Sequence, residues 1–450
     1  MKKRGLLLFI PLGLLLVGLL VMPTFLKALP SRYLARLPQP LQEMGAPAVT
    51  SPILPTAVAP LSASALLQIE HDVSETAVLP TPTLWQEPPT PTPRQTELDS
   101  SETADPTSQP SPTATLEPTA TPLPLPDYIR LEGITHHFQD WNNCGPATLT
   151  MALSYFGHYV RQSDVATFLK PNPEDRNVTP EEMVAYVAQE ADGIEAIFRA
   201  NGDIDTIRRL LAHDIPVVVE IGIDPPGEFR WLGWYGHYLL IVAYDDTLEQ
   251  FWVYDSWFGT SAEPLQNADV NGRILSYAEM DEYWIHFNRN YIAFYTPEQT
   301  TLVADLIGPA IADSVMWSQA LQRVRAETAA DPENAFHWFN LGTVYNHLGQ
   351  YEQAATAFDQ ARAIGLPWRM LWYQFGPYEA YYQIGRYDDL LLLTETTLKD
   401  RPYFEESFYY KGLALAALGQ PNEARTNLQK AVDFNPNFTP AVTALTNLEQ

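Results

Sequence analysis

Cysteine is almost absent from this 450-residue chain, in which Cys144 is the only one. A single cysteine excludes an intramolecular disulfide, so the folded chain must be stabilised by packing. An unpaired thiol in an exported chain is exposed to oxidation, and its presence therefore needs an explanation. The residues around Cys144 must indicate whether it is a nucleophile or a small buried side chain.

Positive charge is also scarce, since 27 Lys and Arg stand against 54 Asp and Glu and give a formal net charge of −27. An acidic surface repels phosphate backbones, and we predict no nucleic-acid partner. No glycine loop with a phosphate-binding lysine is present, which predicts no ATP site. His136, His137 and His286 lack metal-ligand spacing with another His, Cys or acidic residue, so we predict neither a metal nor a cofactor.

Charged residues are missing from a stretch that runs from about Leu6 to Leu26, directly after three basic residues. An apolar helix of this length crosses the roughly 30 Å hydrocarbon layer of a membrane. No good small-x-small cleavage site follows it. We therefore predict an uncleaved signal anchor over residues 1–28, a single-pass membrane protein, and extracytoplasmic domains after it. Secretion after signal cleavage is the alternative.

Large apolar residues are sparse from residue 29 to residue 126, where Pro, Thr, Ser and Ala dominate. Proline removes amide donors and fixes φ, and little apolar surface is available for burial. This composition predicts a disordered Pro/Thr-rich linker that acts as an extended stalk.

Mixed helical and strand-like patterns occupy residues 127–297. Apolar residues at helical spacing follow Gly145 and Pro146, and Thr179 is placed to cap a second helix. The later runs "IPVVVEIGI", "HYLLIVAYDD", "QFWVYDSW" and "NYIAFYT" are rich in β-branched and aromatic residues. Helices followed by strands predict an α+β domain with an antiparallel sheet.

A repeat fills residues 298–450. Gly349, Gly385 and Gly419 recur at spacings of 36 and 34 residues. A period near 34 is typical of tetratricopeptide (TPR) repeats, and "WFNLGTVYNHLGQYEQAATAFDQA" closely resembles that family. We predict an all-α solenoid of about four units, two of them degenerate, with Tyr378 and Leu390 where small residues usually lie. Such an array is expected to bind a protein partner.

Cys144 lies directly before the first predicted helix, where the helix dipole favours the thiolate. A thiolate nucleophile also needs a base. His237 precedes a strand-like run, and a strand start holds an imidazole rigidly. The sequence thus provides a candidate nucleophile and a candidate general base.

Two further residues complete this candidate site. Asp255 ends the strand after that of His237 and could orient its imidazole, although Asp245 and Asp246 are alternatives that could instead cap the turn. Gln139, five residues before the cysteine, could donate to an oxyanion. His136 and His137 lie close to Gln139 and could supply polar contacts in its place.

The stretch from about Ile129 to Tyr295 resembles the bacteriocin-processing, or double-glycine leader, peptidases of family thirty-nine among the papain-like cysteine peptidases. The resemblance is carried by Gln139, "NCGPA", "MALSYFG", "GHY" and "WVYD". It implies a papain-like fold in which Cys144 is the nucleophile, His237 the general base and acid, Asp255 the orienting residue and Gln139 the oxyanion donor. Ser256 stands where that family usually has proline.

The sequence therefore predicts a membrane-anchored, extracytoplasmic cysteine peptidase that hydrolyses peptides or proteins. A catalytically weak, peptide-binding scaffold is one alternative. An amidase or transglutaminase that uses the same triad for acyl transfer is another.

Overall fold

The computed structural model describes residues 22–26, 41, 44, 53–63, 66, 125–224, 233–261 and 266–448. A mixed α/β part is followed by a helical array, and both belong to one compact unit. Contacts between these two parts are therefore features of a single fold.

The mixed part is built on an antiparallel sheet, which confirms the predicted sheet type. Its order in space is β2-β7-β3-β4-β5-β6, with β1 paired to β4. The strands are β1 (Tyr128–Arg130), β2 (Glu195–Arg199), β3 (Val217–Ile223), β4 (Tyr235–Asp245), β5 (Gln250–Asp255), β6 (Arg273–Ser276) and β7 (Tyr291–Tyr295).

Both faces of the sheet are covered by helices. Leu240 and Val242 pack against one helical layer, while Leu239 and Ile241 face the other, as strand alternation requires. The first layer contains α1 (Cys144–Ser154), α2 (Gln162–Leu169) and α3 (Pro180–Glu190). The second contains α4 (Ile204–Leu211) and α5 (Tyr277–Trp284). The capping prediction for Thr179 is confirmed, because its side chain and that of Glu182 form a capping box.

The part of the chain after the sheet is helical and TPR-like, as predicted. It comprises α6 (Thr300–Ile307), α7 (Asp313–Ala330), α8 (Ala335–His347), α9 (Tyr351–Ile364), α10 (Gly376–Gln383), α11 (Tyr387–Asp400), α12 (Glu405–Ala417), α13 (Pro421–Phe434) and α14 (Thr439–Leu448).

Small residues lie where paired helices of the array meet. A Cβ atom on Gly342 would come within 2.6 Å of the Phe358 ring, and one on Gly412 within 2.8 Å of Leu428. The degenerate unit keeps this close approach differently. Tyr378 stands at the expected small position, but Gly376 lies against Phe358 instead, where a Cβ would be 2.9 Å from the ring.

One connection of the array is longer than the others. Residues 331–334, 401–404 and 435–438 join successive helices, whereas residues 365–375 join α9 to α10 and contain the 3₁₀ helix Trp368–Trp372. This segment packs on the sheet domain, where Arg369 Nη1 donates to the Trp234 carbonyl at 3.0 Å. The insertion attaches the array to the α/β part.

The predicted disorder of residues 29–126 is wrong for residues 53–63. Ile53 forms an antiparallel bridge with Pro367, and Leu54 is 1% exposed in the core of the array. Composition could not reveal this order, because the apolar surface that buries Leu54 lies some 300 residues further along the chain. We call residues 53–61 the docked segment.

The predicted anchor over residues 1–28 lies outside the described residues, apart from the short helical stretch 22–26. Among the residues that the structure describes, none belongs to a helix with the length and apolar character that a membrane crossing requires.

Candidate active site

Cys144 is the first residue of α1, and its side chain is half-buried. The rest of α1 is buried, and Thr148 Oγ1 contacts the Tyr238 carbonyl of β4 at 3.4 Å. Ser154 Oγ, at the other end of the helix, accepts from the Thr135 amide at 2.9 Å. These contacts fix the sulfur at the positive end of the helix dipole.

His237 on β4 lies between Cys144 and Asp255. Its Nε2–H donates to Asp255 Oδ1 at 2.8 Å, and Cys144 is near enough to the ring to contribute to its raised pKa. The pairing of β4 with β5 places Asp255 opposite Leu239, two residues from His237. Adjacent antiparallel strands therefore bring the imidazole and the carboxylate together.

Asp255 is fully buried and accepts from several donors. Besides His237, the backbone amides of Trp257 and Phe258 donate to Oδ1 at 2.8 and 2.9 Å. Arg273 Nη2 donates to Oδ2 at 2.8 Å. Burial alone would raise the pKa of Asp255, but the charges of His237 and Arg273 outweigh it and hold that pKa below its usual range.

The same charge controls His237. Burial would lower the pKa of the imidazole, but the charge and hydrogen bond of Asp255, with a smaller contribution from Cys144, raise it to about 10. His237 is therefore an imidazolium at neutral pH. An imidazolium that lies close to a thiol favours the thiolate form of that thiol.

Gln139 is tied to the residue after Asp255. Its backbone N–H donates to the Ser256 carbonyl at 2.8 Å, and Ser256 Oγ donates to Gln139 Oε1 at 2.9 Å. With its carbonyl oxygen held in this way, the amide keeps its N–H groups for another acceptor. The rival residue His136 instead donates from Nε2 to the Asp255 carbonyl at 2.8 Å.

Gln162 on α2 holds the loop that carries Gln139. Its Oε1 accepts from the Asp140 amide, and its Nε2 donates to the Phe138 carbonyl, both at 2.8 Å. Gln162 and Arg273 carried no signal in the sequence. Ser256 was noted there only as the residue that replaces a proline after Asp255, and its contact with Gln139 was not foreseen.

The alternative carboxylates lie elsewhere. Asp245 Oδ1 accepts from the amides of Thr247 and Leu248 and thereby caps the turn after β4. Asp246 pairs with Arg208. Asp255 is the carboxylate that contacts His237. Within the described ranges, no group of three or more His, Cys, Asp or Glu residues could hold a metal ion.

The array borders this site. A Cβ on Gly236, the residue before His237, would lie 3.0 Å from the ring of Tyr373, and the charge of Cys144 adds to burial in raising the pKa of that tyrosine. Arg176 lies between two indoles, 5.2 Å from the Trp141 ring centre and 5.0 Å from that of Trp372. The long connection of the array thus contacts the surroundings of both Cys144 and His237.

Comparison with known families agrees with this division of the chain. Residues 129–290 match the model of the Peptidase_C39 like family. The chain carries a C39-like peptidase domain. Residues 328–356 and 406–437, which follow the C39-like domain, match models of the tetratricopeptide repeat.

Three solved structures are each similar to about a third of this chain. A C39-like peptidase from Bacillus anthracis is 14% identical, with a TM-score of 0.29 over 38% of this chain and 98% of its own. MamA from Desulfovibrio magneticus RS-1 is 20% identical, with a TM-score of 0.27 over 30% of this chain and 74% of its own. YrrB, a TPR protein with an unusual peptide-binding site, is 19% identical, with a TM-score of 0.18 over 32% of this chain and 88% of its own. No curated protein matches the chain.

Proposed function

We propose that the C39-like domain is a papain-like cysteine peptidase that hydrolyses peptide bonds through Cys144, His237 and Asp255. The observation that carries the proposal is the position of His237, whose Nε2–H donates to the buried Asp255 and whose raised pKa includes a contribution from the nearby Cys144. A buried, oriented imidazolium beside a thiol at a helix N-terminus is the arrangement that thiol nucleophiles require.

The reaction begins with attack of the Cys144 thiolate on the peptide carbonyl carbon. The oxyanion accepts hydrogen bonds from the Gln139 side-chain amide and the Cys144 backbone N–H. The His237 imidazolium then donates its proton to the leaving amine, and an acyl-enzyme remains. Neutral His237 next takes a proton from water, which hydrolyses the thioester and restores the thiolate–imidazolium pair.

Asp255 keeps the imidazole in one tautomer, because it accepts from Nε2–H and leaves Nδ1 for the thiol. Arg273 and the two backbone amides in turn fix the carboxylate. Ser256 fills the position of the family's usual proline and holds the oxyanion amide by its carbonyl end.

The substrates that we propose are peptides or proteins outside the cytoplasm. This part of the proposal rests on the charge-free stretch from about Leu6 to Leu26, which would anchor the chain with its folded domains outward. The array would recruit a protein partner or the substrate itself. Protease accessibility of the folded domains in intact cells tests the orientation, and protection from added protease would contradict it.

The catalytic proposal is tested by labelling Cys144 in the full chain with a thiol-directed electrophile. At neutral pH the wild type should react faster than free cysteine, and His237→Ala should lose this advantage. His213→Ala is the matched control, since that histidine is exposed and its Nδ1–H donates to the Arg209 carbonyl of α4. Slow labelling of the wild type that His237→Ala leaves unchanged would remove the catalytic assignment.

The products then separate the remaining alternatives. Hydrolysis of a peptide bond yields two shorter peptides, whereas a transglutaminase yields a crosslinked product and an amidase yields a peptide that has gained water and lost ammonia. Mass analysis of a substrate mixture distinguishes these outcomes. A scaffold without activity would give none of them and would leave Cys144 no more reactive than free cysteine.

A further inference from the structure

A buried group of charged side chains lies where the repeat of α8 and α9 meets the repeat of α10 and α11. It consists of Asp359, Arg362, Tyr381, Arg386 and Asp389, and we call it the junction cluster. Arg386 donates to Asp359 Oδ2 and to Asp389 Oδ2, both at 2.6 Å. Arg362, which is 0% exposed, donates to Tyr381 Oη at 2.9 Å and to Asp389 Oδ1 at 3.2 Å.

Arg362 also donates hydrogen bonds to the main chain of the docked segment. Its Nε donates to the Pro55 carbonyl at 2.7 Å, and its Nη2 donates to the Thr56 carbonyl at 2.9 Å. A buried guanidinium whose donors point at two successive carbonyls is a donor site for the backbone carbonyls of a peptide.

The two aspartates of the junction cluster accept hydrogen bonds from backbone amides of the same segment. The Val58 N–H donates to Asp389 Oδ1 and the Leu61 N–H to Asp359 Oδ2, each at 2.8 Å. The side chains of Val58 and Leu61 are 62% and 41% exposed, so the aspartates contact the backbone and not the identity of these residues. The cluster therefore pairs with both the N–H donors and the carbonyl acceptors of the docked segment's backbone.

One side chain of the docked segment is an apolar anchor. Leu54 is buried in the array core, and its N–H donates to the Leu366 carbonyl at 2.9 Å. Pro55 and Pro60 restrict φ and favour an extended conformation before binding, which lowers the entropy cost of docking. The ligand chemistry is thus a proline-containing peptide that is bent at residues 58 and 59 and has one leucine-like anchor.

We propose that the junction cluster is a peptide-binding site whose resident ligand is the chain's own docked segment, so that an outside peptide binds there only by displacing residues 53–61. A tethered ligand has an effective concentration in the millimolar range. A peptide with the same contacts therefore competes poorly until the segment is released. This inference goes beyond the proposed peptidase activity and does not depend on it.

The test compares full-length Val58→Pro and Val58→Ala. The proline removes the N–H that donates to Asp389, whereas the alanine keeps that N–H and shortens only an exposed side chain. In hydrogen-exchange mass spectrometry, residues 53–63 should be protected in the wild type and in Val58→Ala. In Val58→Pro the remaining amides of the segment should exchange at least about tenfold faster, as one lost charged hydrogen bond weakens docking by that factor.

The second measurement uses a fluorescent synthetic peptide with the sequence of residues 51–63. It should bind Val58→Pro at least about tenfold more tightly than it binds the wild type or Val58→Ala, because only the first variant leaves the cluster accessible. Leu61→Pro, which removes the second amide donor, should behave like Val58→Pro. Equal exchange of residues 53–63 in all chains, or equal peptide affinity for all of them, would overturn the proposal.

Discussion

Two of the buried ionic networks in the described part of the chain, one in the C39-like domain and one in the array, differ in whether a change of pH can alter their charge. In the first, Asp255 is shared between Arg273 and His237. In the second, Asp359 and Asp389 are paired only with Arg362 and Arg386. Both networks satisfy buried carboxylates, but only the first includes an imidazole.

This difference matches the two proposed tasks. Catalysis requires a group that gives up and regains a proton near neutral or mildly alkaline pH, and histidine is suited to that. Holding a peptide backbone requires charges that stay fixed, which arginine and aspartate supply. The array network accordingly has the pKa of Asp389 lowered by its arginine and backbone partners in spite of burial.

The largest effect should come from removing the carboxylate of the first network. Asp255→Ala takes away the acceptor of both His237 and Arg273, and we expect kcat for peptide hydrolysis to fall by about 10³ to 10⁴. The unfolding free energy in urea should fall by about 3 to 5 kcal/mol, because a buried charge is left unpaired. Asp246→Ala is the matched control, since it also removes an aspartate that pairs with an arginine, but one that does not contact His237. If Asp246→Ala lowered kcat as much as Asp255→Ala, the assignment of Asp255 would be wrong.

The next test separates a titrating network from a fixed one. An NMR titration of His237 should give a pKa of about 10, and Asp255→Asn should lower it by about 1 to 3 units, since an opposite charge is removed. The stabilisation from this raised pKa should be complete below about pH 6.5 and should be lost as the pH rises towards 10. Peptide hydrolysis should decline over the same alkaline limb as the proton donor disappears.

Over that pH range, binding of the residue 51–63 peptide to Val58→Pro should stay constant within about twofold, because the array pairs consist of arginine and aspartate. A His237 titration near its ordinary value in the wild type would contradict the assigned network. A peptide affinity that fell in parallel with hydrolysis would erase the distinction between the two networks.

A smaller effect should distinguish the oxyanion donor from the residue that holds it. Gln139→Ala should lower kcat by about 10² to 10³, while alkylation of Cys144, which forms no oxyanion, should stay within about twofold. Ser256→Ala should lower kcat by only about tenfold. The Gln139 side-chain amide remains present and loses only the hydrogen bond from Ser256 that positions it. Steady-state hydrolysis and iodoacetamide kinetics on the same preparations measure both rates. Equal losses of alkylation and hydrolysis in Gln139→Ala would show that it disturbs the thiol instead.

The smallest effect on chemistry should come from the apolar contact between array helices. Gly342→Ala places a Cβ within 2.6 Å of Phe358 and should cost about 1 to 3 kcal/mol of unfolding free energy through overpacking. Hydrolysis by the remaining folded protein should be unchanged. Gly349→Ala tests backbone conformation instead of packing. Its φ of +69° strains any larger residue, although no atom lies near the position of the added Cβ. A lowered kcat in Gly342→Ala would mean that array packing reaches the site.

Sequence periodicity was sufficient for the central strands and for the array. The β4 and β5 runs combine aliphatic and aromatic residues, and a short turn joins them, so their pairing and the closeness of His237 and Asp255 follow. The short strands β1 and β6 have only three and four residues and give too short a pattern. The contact of Arg273 with Asp255 depends on the β5–β6 register, which places Arg273 opposite Val253, and no local pattern encodes that register.

The docked segment marks a different limit. Low apolar content predicts disorder on average, but a single leucine and a few main-chain groups suffice when buried partners already exist elsewhere. Those partners are charged residues of α9 and α11, which read in sequence as ordinary solvent-facing helix positions. Tertiary context, not composition, decides the order of such a segment.

Docking at residue 53 also limits the length of the linker between the proposed membrane anchor and the array. For a chain anchored at residue 28, as proposed, the linker before the array would be residues 29–52, which can extend at most about 80 Å. The full stretch 29–126 could extend at most about 340 Å. Release of the docked segment would therefore enlarge by about fourfold the radius within which the peptidase domain can meet substrates above the membrane. In this arrangement the junction cluster controls the length of linker that is free between the membrane and the folded domains.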